Sequence, residues 1–228
     1  MIANISHDLR TPLTMIRGYG EMMRDIPEEN TPENMQLILD ETERLSGLVN
    51  DLLDISKLQA GATVPQMMEF DLAEALSEVM VRYDAFTKRQ GYSIHWAMDG
   101  EALVLADRKM ILQVCYNLIN NAINYTGDDK QVCVSLTIKD QTVRISFSDT
   151  GSGIPQDQVA LIWDRYYKVD KVHRRAAVGS GLGLSIVKEI LDKHHAAYGV
   201  SSTPGAGSTF WFELPIMTNA KDNEEGHH

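Results

Sequence analysis

The chain has only two cysteines in 228 residues, Cys115 and Cys133, and their separation matches no zinc-ligand pattern. The fold therefore does not rest on a disulfide framework or a structural zinc, and two buried thiols in a reducing compartment are expected. No apolar run approaches the roughly 18 residues that a membrane-spanning helix needs, and no secretory leader opens the sequence. Positive charge is also short. Lys and Arg number 21 against 32 Asp and Glu, a net charge of −11. That balance argues against a general nucleic-acid binder, which needs a basic face. Proline is scarce, seven in all, and it serves mainly as punctuation.

Two long helical patterns come first. Ile2, Ile5, Leu9, Pro12, Ile16, Tyr19, Met23 and Ile26 recur in steps of three and four, the seam spacing of a helical bundle. Pro12 sits inside this stripe, where its missing N–H and its ring should bend the helix. Pro27 and the polar run "EENTPEN" break the chain. Thr31 then offers a hydroxyl cap, with Pro32 in the first turn where no donor is needed. The second stripe runs Ile38, Leu45, Leu48, Leu52 and Ile55, with Val49 and Leu53 widening it. Two antiparallel helices bury too little alone, so a second hairpin is expected to complete a dimeric four-helix bundle.

"AGATVPQMMEF" reads as a linker. From Asp71 the pattern becomes that of an α+β layer domain: a capped helix to Gly91, strands "YSIHWAM" and "ALVLA", and the helix "DRKMILQVCYNLINNAINY". A hairpin follows around Asp140 and Gln141, then a glycine-rich stretch, the helix "GLGLSIVKEILDKHH", and the strands "AYGVSS" and "STFWFEL". The boundaries are 1–59 for the hairpin, 60–70 for the linker, 71–216 for the second domain and 217–228 for a polar tail ending in histidines that resemble a tag.

Three groups of residues carry chemistry. "DTGSGIP" (Asp149 to Pro155) follows a strand, and "GSGLGLSIV" (Gly179 to Val187) opens a helix. Glycines admit close backbone approach, and a helix start points N–H groups and a positive dipole end at an anion, so the pair favours phosphate binding. No Gly-Lys-Ser/Thr follows, which excludes a Walker loop. Asn117 and Asn121 lie four apart on one helix face, and Asn121 offers an oxygen suited to a hard cation such as Mg2+. His7 falls at the outermost heptad position, beside Asp8 and one turn before Thr11. A carboxylate on one ring nitrogen would leave the other as a nucleophile.

"SHDLRTPLT", "NLINNAINYT", "DTGSGIP", "LIWDRYYKVDK", "GSGLGLSIV" and "TPGAGSTFWFELP" occur in that order. They resemble the H, N, first glycine, F, second glycine and third glycine boxes of bacterial sensor histidine kinases of two-component systems. The likeness runs from His7 to Pro215. It implies a dimerisation and histidine-phosphotransfer hairpin followed by an ATP-binding sandwich of the gyrase, chaperone and histidine-kinase type. By that resemblance His7 is the phosphoacceptor, Asp8 polarises it, and Thr11 positions water for dephosphorylation of a partner. Asn121 is the Mg2+ ligand, Asn117 a neighbouring contact, Tyr125 lies near adenine, and Asp149 accepts the adenine amino group. Gly151 and Gly153 give the nucleotide backbone access, Ile154 belongs to the same ATP set, and Trp163, Tyr166 and Tyr167 fill the F box. Residues 168–180 form a lid with Lys168, Arg174 and Arg175, closed by Gly179, Gly181, Leu182 and Gly183, and Thr209 completes the ATP set.

The implied partners are a second copy of the chain and a response-regulator receiver domain. Membrane attachment would come only through upstream segments of a longer protein, of which this is the cytoplasmic portion with a shortened first helix. Asn124 stands where the family usually has lysine, Lys168 where it often has arginine, and His194-His195-Ala196 where it has His-Gly-Gly. The lysine keeps charge but loses the bidentate fork, so slower transfer is expected. Two other functions stay open: a kinase-weak scaffold or phosphatase for a regulator, and an ATPase of the same fold without histidine transfer.

Overall fold

The computed structural model describes residues 2–59, 64–164, 167 and 181–217, with backbone alone for 2–5, 59 and 84–89. Helix α1 spans Ile2–Asp25, a 3-10 turn covers Pro27–Glu29, and helix α2 spans Pro32–Gln59. Thr31 starts α2 as its hydroxyl implies: Oγ1 accepts the Asn34 N–H at 3.2 Å. Pro12 does not interrupt α1; the helix continues through it, and the ring is buried. The ring packs at the seam, and the i to i−4 hydrogen bond that its missing N–H would make is lost. Ile26 lies beyond the helix end and is exposed.

α2 carries two apolar faces. Ile38, Leu45, Leu48, Leu52 and Ile55 are buried or half-buried, whereas Met35, Leu39, Val49 and Leu53 are exposed in this single chain. The second set follows the same three-four spacing, completed by Thr42 and Ser46. Their hydroxyls are satisfied within the helix, donating to the Ile38 and Thr42 carbonyls at 2.7 and 3.0 Å. Val49 and Leu53 therefore do not widen the inner seam; they belong to a separate stripe.

The second domain begins inside the stretch that reads as a linker. Strand β1 (Met68–Asp71) pairs antiparallel with β3 (Leu103–Ala106). Helix α3 (Leu72–Gln90) is started by Asp71, whose Oδ1 accepts N–H groups of Ala73 at 2.9 Å and Ala102 at 3.0 Å. The main sheet has the order β2-β4-β5-β7-β6, built from β2 (Ser93–Met98), β4 (Gln131–Lys139), β5 (Thr142–Asp149), β7 (Ser208–Pro215) and β6 (Ala197–Ser202). Only β2 and β4 run parallel; the other neighbours are antiparallel.

One face of the sheet is buried under α3, α4 (Arg108–Tyr125) and α5 (Gly183–Lys193). Val132, Val134, Leu136, Val143, Ile145, Phe147, Phe210 and Phe212 alternate inward against Leu76, Ile111, Leu118, Ile186 and Ile190. The opposite face is open. Cys133 lies on it and is exposed, so only Cys115 is a buried thiol, its pKa pushed up to about 12 by burial. On the open face Arg144 stacks over Trp211, 4.0 Å from the ring centre, and pairs with Glu213.

Ile55 and Leu58 near the end of α2 join the core of the second domain, and Gln113 Nε2 donates to Asp54 Oδ2 at 2.6 Å. These contacts seat the second domain on the foot of the hairpin.

α5 ends in a left-handed residue. His195 has φ 52°, and the Ala196 N–H reaches the Leu191 carbonyl at 3.0 Å, the closing bond of a Schellman turn. Glycine takes this conformation without the Cβ clash that histidine incurs. His195→Gly is therefore expected to stabilise the domain by roughly 1 kcal/mol, read as a Tm increase of about 2–4 °C. An unchanged or lowered Tm would contradict this assignment of strain.

Candidate nucleotide and phosphoacceptor sites

Helix α4 is fixed at its start by a three-way junction. Asp107 caps it, with Oδ1 accepting the Met110 N–H at 3.1 Å and Oδ2 the Gln66 N–H at 2.8 Å. The Asp107 N–H donates to His194 Nε2 at 3.0 Å, and His194 Nδ1 lies 2.8 Å from the Ile190 carbonyl. A backbone N–H only donates and a carbonyl only accepts, so His194 is the tautomer protonated at Nδ1. Its place before His195 ties the end of α5 to the beginning of α4.

Asn117 and Asn121 stand half-buried on α4. Among the described residues neither side-chain amide has a hydrogen-bond partner within the protein. A Cβ placed on Gly183, the first residue of α5, would sit 3.4 Å from Asn117 Oδ1. The N-terminus of α5, whose first-turn N–H groups have no partner within the helix and which carries the positive dipole end, therefore lies beside the asparagine amide. Gly181 precedes it at φ 67°, and Leu182 is buried beneath, its carbonyl accepting Ile186 N–H and Ser185 Oγ.

Unpartnered, half-buried amide oxygens suit a hard divalent cation that keeps several waters. The described residues contain no cluster of three His, Cys, Asp or Glu able to hold a metal alone. A magnesium ion here would depend on Asn121, with Asn117 close by, and on oxygens from phosphate and water.

Tyr125 ends α4, about 12 Å of helix farther along from Asn117, and is exposed. Asp149 ends β5 and is buried, with Oδ1 accepting the Gly151 N–H at 2.9 Å. Burial raises its pKa above the ordinary carboxylate range, against the opposing pull of the Gly151 and Ser208 backbone N–H groups. A Cβ on Gly151 would collide with the Tyr125 carbonyl, and Gly153, at φ 69°, has Thr203 equally close. Ile154 is buried below the loop.

Thr209 does not join this group. It points to the open face of the sheet, where Oγ1 meets Ser148 Oγ at 2.8 Å. Ser208, its neighbour, points inward and pairs in register with Asp149. Sequence reading also missed a brace just beyond the end of α4. Thr126 Oγ1 donates to the Gln131 carbonyl at 2.6 Å and lies 3.0 Å from Thr150 Oγ1, which bonds to Asp129. The signal for it was the polar run "TGDD" directly after a helix. Trp163 is an anchor: its ring stands edge-on to Tyr198 and Phe210, with centroids 5.0 and 6.0 Å away. Tyr166, Lys168, Arg174, Arg175, Gly179 and the lid at 168–180 lie outside the described residues.

His7 lies on α1, in the helical hairpin. Its side chain is 80% exposed, and Nδ1 lies 3.4 Å from Asp8 Oδ1. With Nδ1 donating to the carboxylate, the Nε2 lone pair faces solvent. Thr11 Oγ1 donates to the His7 carbonyl at 3.1 Å, one turn from the ring.

Residues 1–61 match the His Kinase A (phospho-acceptor) domain, and residues 106–218 match the histidine kinase-, DNA gyrase B- and HSP90-like ATPase family. The catalytic domain of the histidine kinase ThkA is 30% identical, with 67% of this chain covering 99% of it at a TM-score of 0.58. The chain belongs to the sensor histidine kinases.

Among full-length relatives of this histidine kinase chain, sensor histidine kinase WalK of Bacillus subtilis (strain 168) is 34% identical over 227 residues. That match takes in 97% of this chain and 37% of WalK. BaeS of Escherichia coli (strain K12), a signal transduction histidine-protein kinase, is 33% identical, with 94% and 46% covered. The chain thus spans less than half the length of these curated relatives. ThkA in complex with the response regulator TrrA superposes at a TM-score of 0.74 and 28% identity, with 95% of this chain and 61% of that one covered.

Because folded Asp149 holds its proton more tightly than the unfolded chain does, its favourable share of stability is present at low pH. That share is lost as pH rises through the folded-state pKa. Asp149→Asn removes the loss and keeps an oxygen for the Gly151 N–H. Thermal melts without nucleotide should show the variant more stable than wild type at pH 7, with the difference shrinking on acidification. ATP affinity should fall about tenfold or more, because a charged acceptor is gone. A variant that melts lower at pH 7 while binding ATP normally would contradict both roles.

Proposed function

We propose that this chain is the kinase core of an ATP-dependent protein-histidine kinase that phosphorylates His7 and then passes the phosphoryl group to an aspartate of a response regulator. The observation that carries the proposal is the coexistence, in one chain, of an outward imidazole oriented by Asp8 and a cleft with a buried carboxylate at one end and a helix N-terminus at the other. A nucleoside triphosphate fits that polarity. Asp149 faces the base, while Asn117, Asn121 and the start of α5 face the phosphates.

In the transfer, His7 Nε2 attacks the γ-phosphorus in line. The P–N bond forms as the bond to the ADP oxygen breaks, and ADP carries away that electron pair. The Nδ1 proton stays on the ring, held toward Asp8, so the imidazolium-like product is stabilised by an adjacent carboxylate. Magnesium, held at Asn121, would supply charge neutralisation along the phosphate chain. For transfer, the ATP-binding domain of this chain or of its partner copy must come to His7, which is uncovered while Asp54, Ile55 and Leu58 hold the two domains of the chain together. The regulator would dock beside His7 on the hairpin. Thr11, one turn away, supports a second activity, positioning water for dephosphorylation of that regulator.

The apolar stripe Met35, Leu39, Val49 and Leu53 is the proposed contact with a second copy, giving the four-helix bundle. Attachment to a membrane, with this portion on the cytoplasmic side, would come from other segments of the full protein. None of the described helices is long and apolar enough to cross one.

Incubation with γ-labelled Mg·ATP should yield an acid-labile adduct that His7→Gln abolishes. Undiminished labelling of that variant would defeat the proposal. Leu39→Glu with Leu53→Glu should convert a dimer into a monomer by sedimentation. A pair of charges that left the dimer intact would assign the stripe elsewhere.

A further inference from the structure

The turn between β6 and β7 holds a pair of hydroxyls behind the base end of the cleft. Ser202 ends β6, Ser208 begins β7, and the two are register partners. Ser202 Oγ accepts the Ile154 N–H at 2.8 Å, lies 3.0 Å from the Gly207 carbonyl oxygen, and lies 3.0 Å from Ser208 Oγ. The Gly207 oxygen also takes the Thr203 N–H at 3.3 Å.

A serine hydroxyl has one proton and two lone pairs. A carbonyl oxygen only accepts, so the Gly207 contact uses the Ser202 proton. Ser202 then has acceptor capacity alone. The Ile154 N–H fills one lone pair, and the contact with Ser208 requires the Ser208 proton to fill the other. Ser208 is buried, and its one proton is committed away from the cleft. What it can present beside Asp149, its partner across β5 and β7, is lone pairs. Ionised Asp149 likewise only accepts.

We propose that Ser202 is a positioning residue for base selection: by taking the Ser208 proton, it keeps the base end of the cleft acceptor-only. Such a site accepts an exocyclic amino group, directly or through a water, and rejects a base with a carbonyl oxygen at the same position. Adenine has the amino group; hypoxanthine, otherwise nearly the same shape, has the oxygen. The proposal rests on ATP being the ligand of this cleft. A merely bracing role for Ser202, through Ile154 and Gly207, would act on both bases alike.

The test is calorimetric titration of the whole chain with Mg·ATP and Mg·ITP. Wild type is expected to prefer ATP. In Ser202→Ala the Ser208 hydroxyl is free to turn its proton toward a carbonyl, so the ATP-to-ITP preference should fall by about threefold or more. Ser202→Thr, which keeps the hydroxyl, should retain the preference. Ser208→Ala should also narrow it, and adding Ser202→Ala to that variant should narrow it no further. Equal weakening of both nucleotides by Ser202→Ala, with the ratio unchanged, would overturn the role given to Ser202 while leaving the ATP site intact. A wild type that binds neither nucleotide would overturn the site and this role together.

Discussion

Backbone packed against backbone at the end of β5 is the constraint on which the nucleotide end of the molecule depends. Gly151 lies against the Tyr125 carbonyl, Gly153 against Thr203, and Gly207 against the Asp149 carbonyl, each with no room for a Cβ. These contacts lock the end of α4, the loop after β5 and the β6–β7 turn into one unit. Side chains with rotamer freedom could not hold that geometry as tightly, because close-packed interiors leave few soft directions. Asp149 can then sit buried, its charge disfavoured by burial and supported by the Gly151 and Ser208 N–H groups. The resulting rise in its pKa is the cost of presenting an acceptor that water does not already satisfy.

The other half of the molecule follows a different logic. Near Asp149 parts are fixed; between the domains, the contacts among the described residues centre on Asp54, Ile55 and Leu58. A rigid cradle on a small seat suits a reaction in which the phosphate donor must visit an imidazole that solvent otherwise surrounds. The hairpin contributes its own division of labour. One face of α2 packs on α1, a second offers an apolar stripe, and α1 presents His7 to the outside. Pro12 is part of the seam within a continuous α1, which places it in packing rather than at a break.

Much of this was legible in the sequence, for physical reasons that also mark where reading stopped. The hydroxyl cap at Thr31, the positive-φ residues Gly91 and Gly153, and the amphipathic periods of α2 and α4 each act locally, and local signals survive in one dimension. Strand β1 did not announce itself because "QMMEF" is short and its pairing with β3 is long-range. The expectation for Thr209 shows how strict strand parity is: Thr209 points to the open face, and its neighbour Ser208 is the residue that faces inward beside Asp149. Cys133 could have been placed from the same alternation, since Val132 and Val134 flank it and both point inward. The hydroxyl pair at Ser202 and Ser208 was beyond reach, because it depends on which atoms meet across a turn.

The central claim is that a single chain carries both the ATP cleft and the imidazole that takes its phosphate, with Asp8 holding one ring nitrogen and leaving the other to react. The most direct measurement is the position of the phosphoryl group after incubation with Mg·ATP, read by phosphorus NMR with peptide mapping by mass spectrometry at neutral to alkaline pH. The account expects one phosphohistidine, on Nε2 of His7. A phosphoryl group on Nδ1 of His7, on another residue, or nowhere would contradict it.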